Sequence, residues 1–254
     1  MPPLSAVIIA RDEADRLPDA LRSVAFADER LVLDSGSSDG TPEVARALGA
    51  RVVETDWPGH VAQKNRALAL ATHPWVLSID ADERVTPALA ASIRAALAEE
   101  PEVDGFAVAR RNHYLGQPLS WGGWYPDRRV RLVRRARARW GGTDPHDRIE
   151  LAGRVGRLAG DLDHHPYRDL QEHLDTIVRY AQRAAEVEPA AGRAWEPVGR
   201  AAWRFVRGYL LQGGLLDGTA GFWVAWRGAR YTHLKWRLRA EAARDGSEHG
   251  RDDR

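Results

Sequence analysis

The chain contains no cysteine and no long apolar run. Without cysteine it can form neither a disulfide framework nor a thiolate metal site, which favours a reducing compartment. A membrane-spanning helix needs roughly 20 apolar residues, and the best candidate, residues 209–216, is interrupted by Gln212, Gly213 and Gly214. The N-terminal residues reach Arg11 too soon to hold the apolar core of a signal peptide. These absences predict a cytoplasmic protein that does not cross a membrane.

A strong charge of either sign is also lacking. The 37 Lys and Arg residues nearly balance the 36 Asp and Glu residues, so the formal net charge is +1. Bulk attraction to nucleic acid is therefore not expected, and any charged ligand must be bound by a local cluster. With 44% hydrophobic residues among 254, the chain can bury a substantial core. One globular domain with an attached lobe is the predicted organisation.

The first hundred residues alternate short apolar runs with amphipathic stretches, which is typical of a parallel sheet covered by helices. The predicted strands are 6–10, 31–34, 51–54 and 75–80, and the predicted helices are 15–24, 42–48, 61–71 and 87–98. Thr41 and Thr86 each precede a proline, which predicts a capping hydroxyl at the start of two helices. This pattern indicates an α/β nucleotide-binding fold.

The rest of the chain has a different texture. Short extended pieces at 106–109, 129–133 and 148–151 are separated by Gly, Pro and Trp. After Pro166 the pattern is helical, with one apolar face formed by Leu170, Leu174, Ile177, Val178 and Ala181. The charged composition of residues 241–254 predicts a disordered tail.

One candidate site is the loop at residues 34–41, Asp-Ser-Gly-Ser-Ser-Asp-Gly-Thr. It follows a predicted strand and precedes a helix, so it lies at the carboxyl edge of the sheet, where ligands bind in open α/β folds. Gly36 and Gly40 can adopt positive φ, and the Ser and Asp side chains can bind a base or turn back onto their own loop. Taken alone, the loop fits a ligand site and an ordinary turn equally well.

A second candidate site is Asp80-Ala81-Asp82-Glu83, at the end of a buried strand. Alternate side chains of an extended chain share a face, so Asp80 and Asp82 are expected to converge on one ligand. Two carboxylates suit Mg²⁺ or Mn²⁺, with water and a diphosphate completing the coordination. The alternative is a solvated acidic loop, because an isolated Asp-x-Asp is a weak signal.

The ordered combination of residues 5–13, 34–41, 63–65 (Gln-Lys-Asn) and 80–83 resembles the donor half of family 2 glycosyltransferases. The resemblance implies a GT-A fold, a nucleotide-sugar donor and a divalent cation. It also implies that Asp34 holds uracil or another base, that Glu13 lies near the nucleoside and that Lys64 approaches the diphosphate. By the same likeness Asp82 is the metal-binding acid, with Asp80 beside the ribose or the metal. The implied donor-binding set is Ala10, Glu13, Asp34, Ser35, Gly36, Lys64, Asp80, Ala81 and Asp82. Asp12 departs from the family, which commonly has Asn there.

The middle of the chain is similar to a bacterial branch of the family that builds lipopolysaccharide core, often as glucosyltransferases. The matching segments are 112–116, 122–127, 131–134 and 145–147. This resemblance implies an inverting transfer of a hexose, with glucose from UDP-glucose as the preferred prediction, to a glycan or glycolipid acceptor of the cell envelope. The branch often has Glu at the position of Asp147.

An inverting transfer needs a carboxylate that takes the proton of the acceptor hydroxyl. Asp147 is the predicted base, Glu150 and Asp127 are its competitors, and the alternative role of Asp147 is a loop acid bonding its own backbone. Trp121, Trp124 and Tyr125 offer flat apolar faces. These faces can stack on a sugar ring, or they can simply pack in a core. The guanidinium groups of Arg128, Arg131 and Arg134 can bind a phosphate. Alternatively, these arginines line the solvated face of a strand. The predicted acceptor-binding set is Trp121, Trp124, Tyr125 and Arg131.

The histidines at positions 146, 164 and 165 lack the helical spacing of a zinc motif, and structural roles are expected for them. Residues 201–240 mix aromatic and basic side chains, which indicates contact with an anionic membrane surface or, alternatively, packing against the catalytic domain or another subunit. The predicted domains are therefore a catalytic domain at 1–165, with donor half 1–100 and acceptor half 101–165, a helical lobe at 166–240 and the tail.

Two rival functions use the same fold. A nucleotidyltransferase would need a basic phosphate-activating motif in the first loop, and Arg11 alone is poor evidence for one. A catalytically inactive glycan-binding or nucleotide-binding protein is disfavoured because Asp80, Asp82 and Asp147 are all present.

Overall fold

The structure is a computed structural model that describes residues 2–143, 146–187, 193 and 195–252, with the side chains of these residues except 146 and 245–252. It contains two compact units. The first consists of Met1–Arg111 and Pro126–His164, and the second of Asn112–Tyr125 and His165–Arg254. The segment Asn112–Tyr125, which the sequence pattern grouped with the acceptor half, thus belongs to the same unit as the C-terminal helices.

The parallel half of the central sheet lies in the first unit. Its strands, in the spatial order β3-β2-β1-β4, are β1 (Leu4–Ala10), β2 (Glu29–Asp34), β3 (Arg51–Glu54) and β4 (Trp75–Asp80). The helices are α1 (Leu17–Ser23), α2 (Thr41–Ala47), α3 (His60–Leu70) and α4 (Pro87–Ala98). All eight elements were predicted from the sequence, with ends that differ by two residues at most.

The sheet continues with antiparallel strands, so it is mixed. Beyond β4 the order is β8 (Asp127–Arg134), β6 (Gly105–Tyr114), β11 (Val155–His164) and β5 (Glu83–Val85), and β7 (Gln117–Pro118) pairs with the end of β6. A separate hairpin consists of β9 (Ala138–Thr143) and β10 (His146–Leu151). The predicted α/β class is confirmed. The pattern missed β7, which is only two residues long, and β5, β9 and β11, whose apolar residues are interrupted by Gly and charged side chains.

The core has two layers because successive side chains of a strand point to opposite faces. In β1, Ile8 packs in the cluster that contains Leu21 and Ile93, from α1 and α4. Its neighbour Val7 packs in the other cluster, with Ala67 from α3. Complete burial of a Leu or Ile side chain stabilises the fold by about 1.5–3 kcal/mol, so these layers fix the helices against the sheet.

The two predicted caps have different outcomes. Thr86 caps α4, since its hydroxyl accepts a hydrogen bond from Leu89 N at 3.3 Å. The prediction that Thr41 caps α2 is wrong, because Gly40 is the N-cap, with φ 85°, and Thr41 lies inside the helix. The Thr41 hydroxyl instead donates to Asp39 at 2.5 Å and accepts from the backbone of Glu13 at 2.9 Å.

The second unit is mainly helical. Its helices are α5 (Leu170–Val187), α6 (Glu196–Val206) and α7 (Gly218–Asp252), and α7 packs against both α5 and α6. The predicted apolar face of α5 is partly wrong, since Leu170 and Val178 are exposed whereas His173 and Ala185 are buried with Ile177 and Ala181. The ring of His173 takes a core position because it stacks on Tyr167.

The backbone of the predicted disordered tail is helical as far as Asp252, where Ala, Glu and Arg residues favour helix continuation. Among the helices that the structure describes, none combines the length and apolarity needed to span a bilayer.

Candidate active site

The ends of three neighbouring parallel strands bring predicted site residues together. Ala10 ends β1, Asp34 ends β2 and Asp80 ends β4. Ala10 is in register with Asp34 across the β1–β2 pair, and Asp80 is in register with Ile9 across the β1–β4 pair. Because the carboxyl ends of parallel strands meet at one edge, the two candidate loops predicted from sequence lie at the same edge of the sheet, on either side of β1.

The loop after β2 is closed by Asp34, which is 1% exposed. Its Oδ2 accepts hydrogen bonds from Gly36 N at 3.0 Å and Ser37 N at 2.9 Å, and Gly36 has the expected positive φ of 78°. The hydroxyl of Ser35 accepts a hydrogen bond from Gln63 Nε2 at 2.9 Å, which ties the loop to α3. Asp34 therefore has the turn-forming role that was the alternative from sequence, and its contact with a base stays a prediction.

The loop after β1 is bound to the loop after β2. Asp12 N donates to the Ser37 hydroxyl at 2.8 Å, while Asp12 Oδ1 accepts from Ser38 N at 2.8 Å. Ala14 N donates to Asp39 Oδ2 at 3.0 Å. Asp12 adopts a positive φ of 54°, an uncommon conformation for a residue with a side chain, and these bonds hold it there.

Glu13 and Ala81, two further members of the predicted donor set, are both engaged by their surroundings. The carboxylate of Glu13 accepts two hydrogen bonds from Arg16, each 2.6 Å long. Ala81 is buried in the turn that follows β4. Their contact with a nucleotide stays a prediction.

A buried chain of alternating charges is the centre of the site. Lys64 Nζ lies 2.9 Å from Asp80 Oδ1 and 2.8 Å from Asp147 Oδ2. Arg131 Nη2 lies 3.0 Å from Asp80 Oδ2 and 2.6 Å from Glu83 Oε1. Lys64, Arg131 and Glu83 are each at most 5% exposed. Elements far apart in sequence (α3, β4, β5, β8 and β10) thus meet through ion pairs.

These neighbours shift the pKa values of the network. Burial disfavours the charge of Asp80, but the adjacent Lys64 and Arg131 outweigh burial and hold the pKa of Asp80 well below its usual range. Burial lowers the pKa of Lys64, as does Arg131, but the carboxylates of Asp80 and Asp147 more than compensate and raise it. Burial of Arg131 is likewise offset by Glu83 and Asp80, which raise its pKa. Asp80, Lys64 and Arg131 therefore carry their charges at neutral pH.

Asp82 does not share a partner with Asp80. It lies in the turn between β4 and β5, so the side-chain alternation expected of an extended strand does not apply. Its Oδ2 is instead 3.4 Å from Nε2 of His164. His164, for which a structural role was expected, ends β11 and is in register with Glu83 of β5. Asp82 and His164 are 82 positions apart, and no pattern in the sequence indicated that they are in contact.

The Asp82–His164 pair fits a divalent cation that keeps open coordination positions. A carboxylate oxygen and an imidazole nitrogen suit Mn²⁺, and both side chains are partly accessible, at 20% and 14%. Both oxygens of Asp80 already face cations. Among the side chains that the structure describes, no group of three acidic or histidine residues is arranged around one point, so a cation here would take further ligands from water or a diphosphate.

A cavity of about 650 Å³ in the first unit opens onto the charged network. The carboxylates among its described lining residues are Asp80 and Asp147. The competing base candidates are paired with arginines, Glu150 with Arg139 at 2.7 Å and Asp127 with the cavity residue Arg110 at 2.8 Å. The cationic lining residues are Lys64, Arg110, Arg128, Arg129, Arg131 and Arg148. The cavity thus offers strong positive charge around two carboxylates.

Trp140 is a cavity residue that sequence reasoning missed. Its ring lies 4.5 Å from Lys64 Nζ, close enough for a cation–π contact. Asn65 fixes its position through two hydrogen bonds of 2.9 Å, one to each backbone polar group of Trp140. The Gln-Lys-Asn motif therefore connects α3 to β9 as well as supplying the lysine.

The predicted acceptor residues fall in different units. Arg131 belongs to the charged network of the first unit, whereas Trp121, Trp124 and Tyr125 lie in the second. Trp124 packs partly buried beside Tyr114, Trp121 is 48% exposed, and Tyr125 is half-buried. Their binding of an acceptor stays a prediction.

The two other arginines proposed as phosphate clamps differ from each other. Arg134 donates to the carbonyl oxygens of Val103 and Pro101, and its guanidinium lies 4.7 Å from the centre of the Trp75 ring. These contacts give Arg134 a structural role. Arg128 is exposed and lines the cavity, so it remains accessible to an anion.

The sequence of the chain is similar to those of known proteins. Residues 5–150 match the model of glycosyl transferase family 2. The lipopolysaccharide core biosynthesis glycosyltransferase LpsC of Rhizobium meliloti is 31% identical over 242 residues, which cover 91% of this chain and 90% of that protein. A TPR repeat-containing protein of Synechococcus elongatus is 41% identical over 119 residues, 46% of this chain but only 29% of that longer protein.

Two solved structures are also similar to the chain. Glucosyl-3-phosphoglycerate synthase of Mycobacterium tuberculosis is 27% identical, with 45% of each chain covered and a TM-score of 0.37. A mycobacterial protein is 22% identical, with 67% of this chain and 69% of that chain covered and a TM-score of 0.48. The assignment rests on the sequence matches, which extend over more than half of the chain for the family model and nine-tenths for LpsC. The chain therefore belongs to glycosyl transferase family 2, as its ordered motifs predicted.

Proposed function

We propose that the chain transfers a hexose with inversion, preferably glucose from UDP-glucose, to a hydroxyl group of a lipopolysaccharide-core or related cell-envelope glycan. Its family supports glycosyl transfer, and its likeness to a lipopolysaccharide core biosynthesis glycosyltransferase supports the acceptor class. The observation that carries the mechanism is the position of Asp147, which lines the cationic cavity and is held by Lys64.

In this proposal the nucleoside lies against the loops after β1 and β2, where Glu13, Asp34, Ser35 and Gly36 are located. The diphosphate occupies the cationic cavity, whose arginines offer forked hydrogen-bond donors to phosphate oxygens. Lys64 and Arg131 are buried at its base. Their charges are compensated by Asp80, Asp147 and Glu83. Arg110 and Arg129 are paired with Asp127, whereas the exposed Arg128 remains accessible to the diphosphate.

Asp147 accepts the proton of the acceptor hydroxyl in the proposed reaction. Its Oδ2 is held by Lys64, and its Oδ1 makes no hydrogen bond within the described part of the chain. As the acceptor oxygen bonds to the anomeric carbon, the bond from that carbon to the diphosphate oxygen breaks on the opposite face, and the proton passes to Asp147. Lys64 is a positioning residue that orients the carboxylate.

Asp82 and His164 would hold a divalent cation, Mn²⁺ or Mg²⁺. Such an ion, when bound, neutralises negative charge on the departing diphosphate. Asp80, which the family resemblance placed beside the ribose or the metal, remains paired with Lys64 and Arg131 in this arrangement.

The test begins with a thermal-shift screen of nucleotide sugars with and without Mn²⁺, because a specific donor stabilises the folded state. Transfer is then measured for Asp147→Asn with the donor that binds. We expect turnover to fall by roughly 10²-fold or more, the scale for losing a positioned base, with UDP affinity unchanged. Glu150→Gln is the matched control and should retain activity.

Near-parental turnover in Asp147→Asn would contradict the proposed base. Release of UDP from the nucleotide sugar identifies glycosyl transfer, whereas formation of pyrophosphate from a nucleoside triphosphate and a sugar 1-phosphate would identify the rival nucleotidyltransferase. Donor binding without release of either product would favour an inactive binding protein.

A peripheral membrane contact through residues 201–240 is a second part of the proposal. Apolar side chains exposed on this segment include Trp203, Leu211, Leu216, Phe222, Trp223 and Trp226. Basic residues such as Arg207 and Arg230 are exposed among them, a combination that suits an anionic lipid surface.

We expect the protein to sediment with anionic vesicles, and this binding should weaken as the salt concentration rises. The double variant Trp203→Ser/Trp226→Ser should bind the vesicles less strongly than the parent. The control Trp57→Ser, at an exposed tryptophan of the first unit, should bind like the parent, and equal binding by all three proteins would contradict the contact.

A further inference from the structure

The second unit contains a cavity of about 260 Å³ that is separate from the cationic cavity of the first unit. It lies among α5, α6, α7 and the segment 112–125, and we call it the aromatic cavity. Its ring-bearing lining residues include Tyr114, Trp124, Tyr167, His173, Tyr180 and Tyr231. Two arginines, Arg204 and Arg227, also line it, and no carboxylate is found among its described lining residues. The cavity is therefore apolar over most of its wall and carries uncompensated positive charge.

Arg227 is the unusual member of this lining because it is only 7% exposed. Its Nε and Nη1 atoms have no hydrogen-bond partner within the described residues. Its neighbours include the Tyr114 side chain and the Trp223 ring, whose centre lies 6.0 Å from the guanidinium carbon. A buried guanidinium without a counter-charge is unfavourable. Arg227 therefore has buried, unused donors that are suited to bind an anion.

The titratable rings of the cavity do not supply that anion. Burial raises the pKa of Tyr167 to about 12 and also raises that of Tyr114, so both phenols stay neutral. Burial, with a smaller effect of Arg227, lowers the pKa of His173 to about 4, so its imidazole is neutral too. The positive charge of Arg227 is thus not balanced by any of these three groups at neutral pH.

We propose that the aromatic cavity binds an oxyanion, a phosphate or carboxylate group, that is attached to an apolar chain or ring. Arg227 contacts the anion through its unused donors, since a guanidinium matches the oxygens of either group. The aromatic walls enclose the apolar part, as in most small-molecule sites. Such a ligand is either a free metabolite or a lipid. This inference goes beyond glycosyl transfer and does not depend on it.

The first experiment is calorimetric titration of the full chain with hexyl phosphate, 1-hexanol and inorganic phosphate. We expect saturable binding of hexyl phosphate and at least tenfold weaker binding of the other two, because each of them lacks half of the recognised chemistry. Arg227→Met should weaken hexyl phosphate binding at least tenfold. The matched control is Arg230→Met, an exposed arginine on the same helix, which should bind like the parent.

A stability measurement separates ligand binding from a structural role of Arg227. Removing an unpaired buried charge relieves a cost, so the melting temperature of unliganded Arg227→Met should equal or exceed that of the parent. UDP affinity should be unchanged in this variant. Parental affinity for hexyl phosphate in Arg227→Met, or no saturable binding of hexyl phosphate to the parent, would overturn the proposal.

A second variant keeps the test decisive if Arg227→Met does not fold. Gly228 lines the cavity, and the three atoms nearest to a Cβ added there belong to the Arg204 guanidinium, at 3.7 to 3.9 Å, which is ordinary van der Waals contact. Gly228→Leu therefore fills the cavity while Arg227 is kept, and it should abolish binding of hexyl phosphate. Parental affinity in Gly228→Leu would overturn the proposal.

Vesicles distinguish the two sources of the ligand. The protein is sedimented with zwitterionic vesicles that contain hexadecyl phosphate. Recruitment that hexyl phosphate competes away supports a lipid ligand. Binding of hexyl phosphate in solution without such recruitment supports a free metabolite.

Discussion

Lys64 Nζ lies 2.8 Å from Oδ2 of Asp147, although the two residues are 83 positions apart and belong to α3 and β10. The same ammonium group lies 2.9 Å from Asp80. One buried cation thus holds together two carboxylates that would otherwise repel each other, which makes it important for stability as well as for the proposed reaction.

Replacing Lys64 should expose this dual role. Lys64→Met leaves two partly buried carboxylates, 28% and 13% exposed, without their shared partner. The cost should therefore lie below that of breaking a fully buried pair, about 3–5 kcal/mol. Urea unfolding measures the loss of stability. The double variant Lys64→Met/Asp147→Asn should recover part of this loss, because the effects of substitutions at contacting residues on the free energy of unfolding are not additive. Arg66→Met, which removes an exposed ion pair on the same helix, should cost much less. Equal losses in the two single variants would contradict a buried network.

The Asp82–His164 pair leads to a prediction about metal dependence. Asp82→Asn and His164→Gln should each weaken the Mn²⁺-dependent part of UDP binding by roughly tenfold or more, comparable to the loss of a group that supports a metal site. Titration calorimetry with UDP, in Mn²⁺ and in EDTA, measures this part. His165→Gln is the control, because the His165 ring stacks on His113 in the second unit. Unchanged metal dependence in both site variants would rule out this pair as the cation site.

Glu29 should contribute to the acid sensitivity of the fold. Its carboxylate accepts hydrogen bonds from Ser5, from Arg51 and from the backbone and hydroxyl of Thr72. Burial acts in the opposite direction, but these bonds outweigh it and lower the pKa from 4.5 to about 2. A lowered carboxyl pKa gives stability that is fully present above the unfolded-state value and is lost as pH falls through the folded-state value.

The relevant pH window therefore lies between about 4.5 and 2. In that window Glu29→Gln should reduce the proton uptake on unfolding by up to about one proton. Unfolding free energies measured across the window give this slope. Glu99→Gln, at an exposed position after α4, should leave the slope unchanged, and an unchanged slope in Glu29→Gln would contradict the assignment.

Two glycines with the same backbone angle allow a controlled test of packing. Gly160 and Gly116 both have φ +84°, but a Cβ at Gly160 would lie 2.3 Å from Leu89 N, whereas at Gly116 nothing lies within 4 Å. Gly116→Ala should cost about 1–2 kcal/mol for the left-handed conformation alone. Gly160→Ala should cost about 1–3 kcal/mol more, because β11 must move away from α4. Equal costs in chemical denaturation would mean that the contact between β11 and α4 relaxes freely.

The sequence was informative where a signal is local. Apolar runs and periodic helices identified the parallel half of the sheet, and the known geometry of parallel strands then brought Ala10, Asp34 and Asp80 to one edge. It was uninformative where a contact depends on distant antiparallel pairing. The approach of His164 to Asp82 needs the β11–β5 pair, and β11 contains glycines and charged residues instead of an apolar run. For the same reason the position of Trp140 beside Lys64 could not be inferred.

The hydrogen bonds between the loops after β1 and β2 also influence how a nucleotide would bind. The backbone N–H groups of Asp12, Glu13 and Ala14 each donate to a side-chain oxygen of the other loop. Both loops are therefore ordered before any ligand arrives, and binding need not consume conformational entropy to fix them. Favourable contacts made there would go directly into affinity, and the loops would act as a rigid surface on which the donor is aligned.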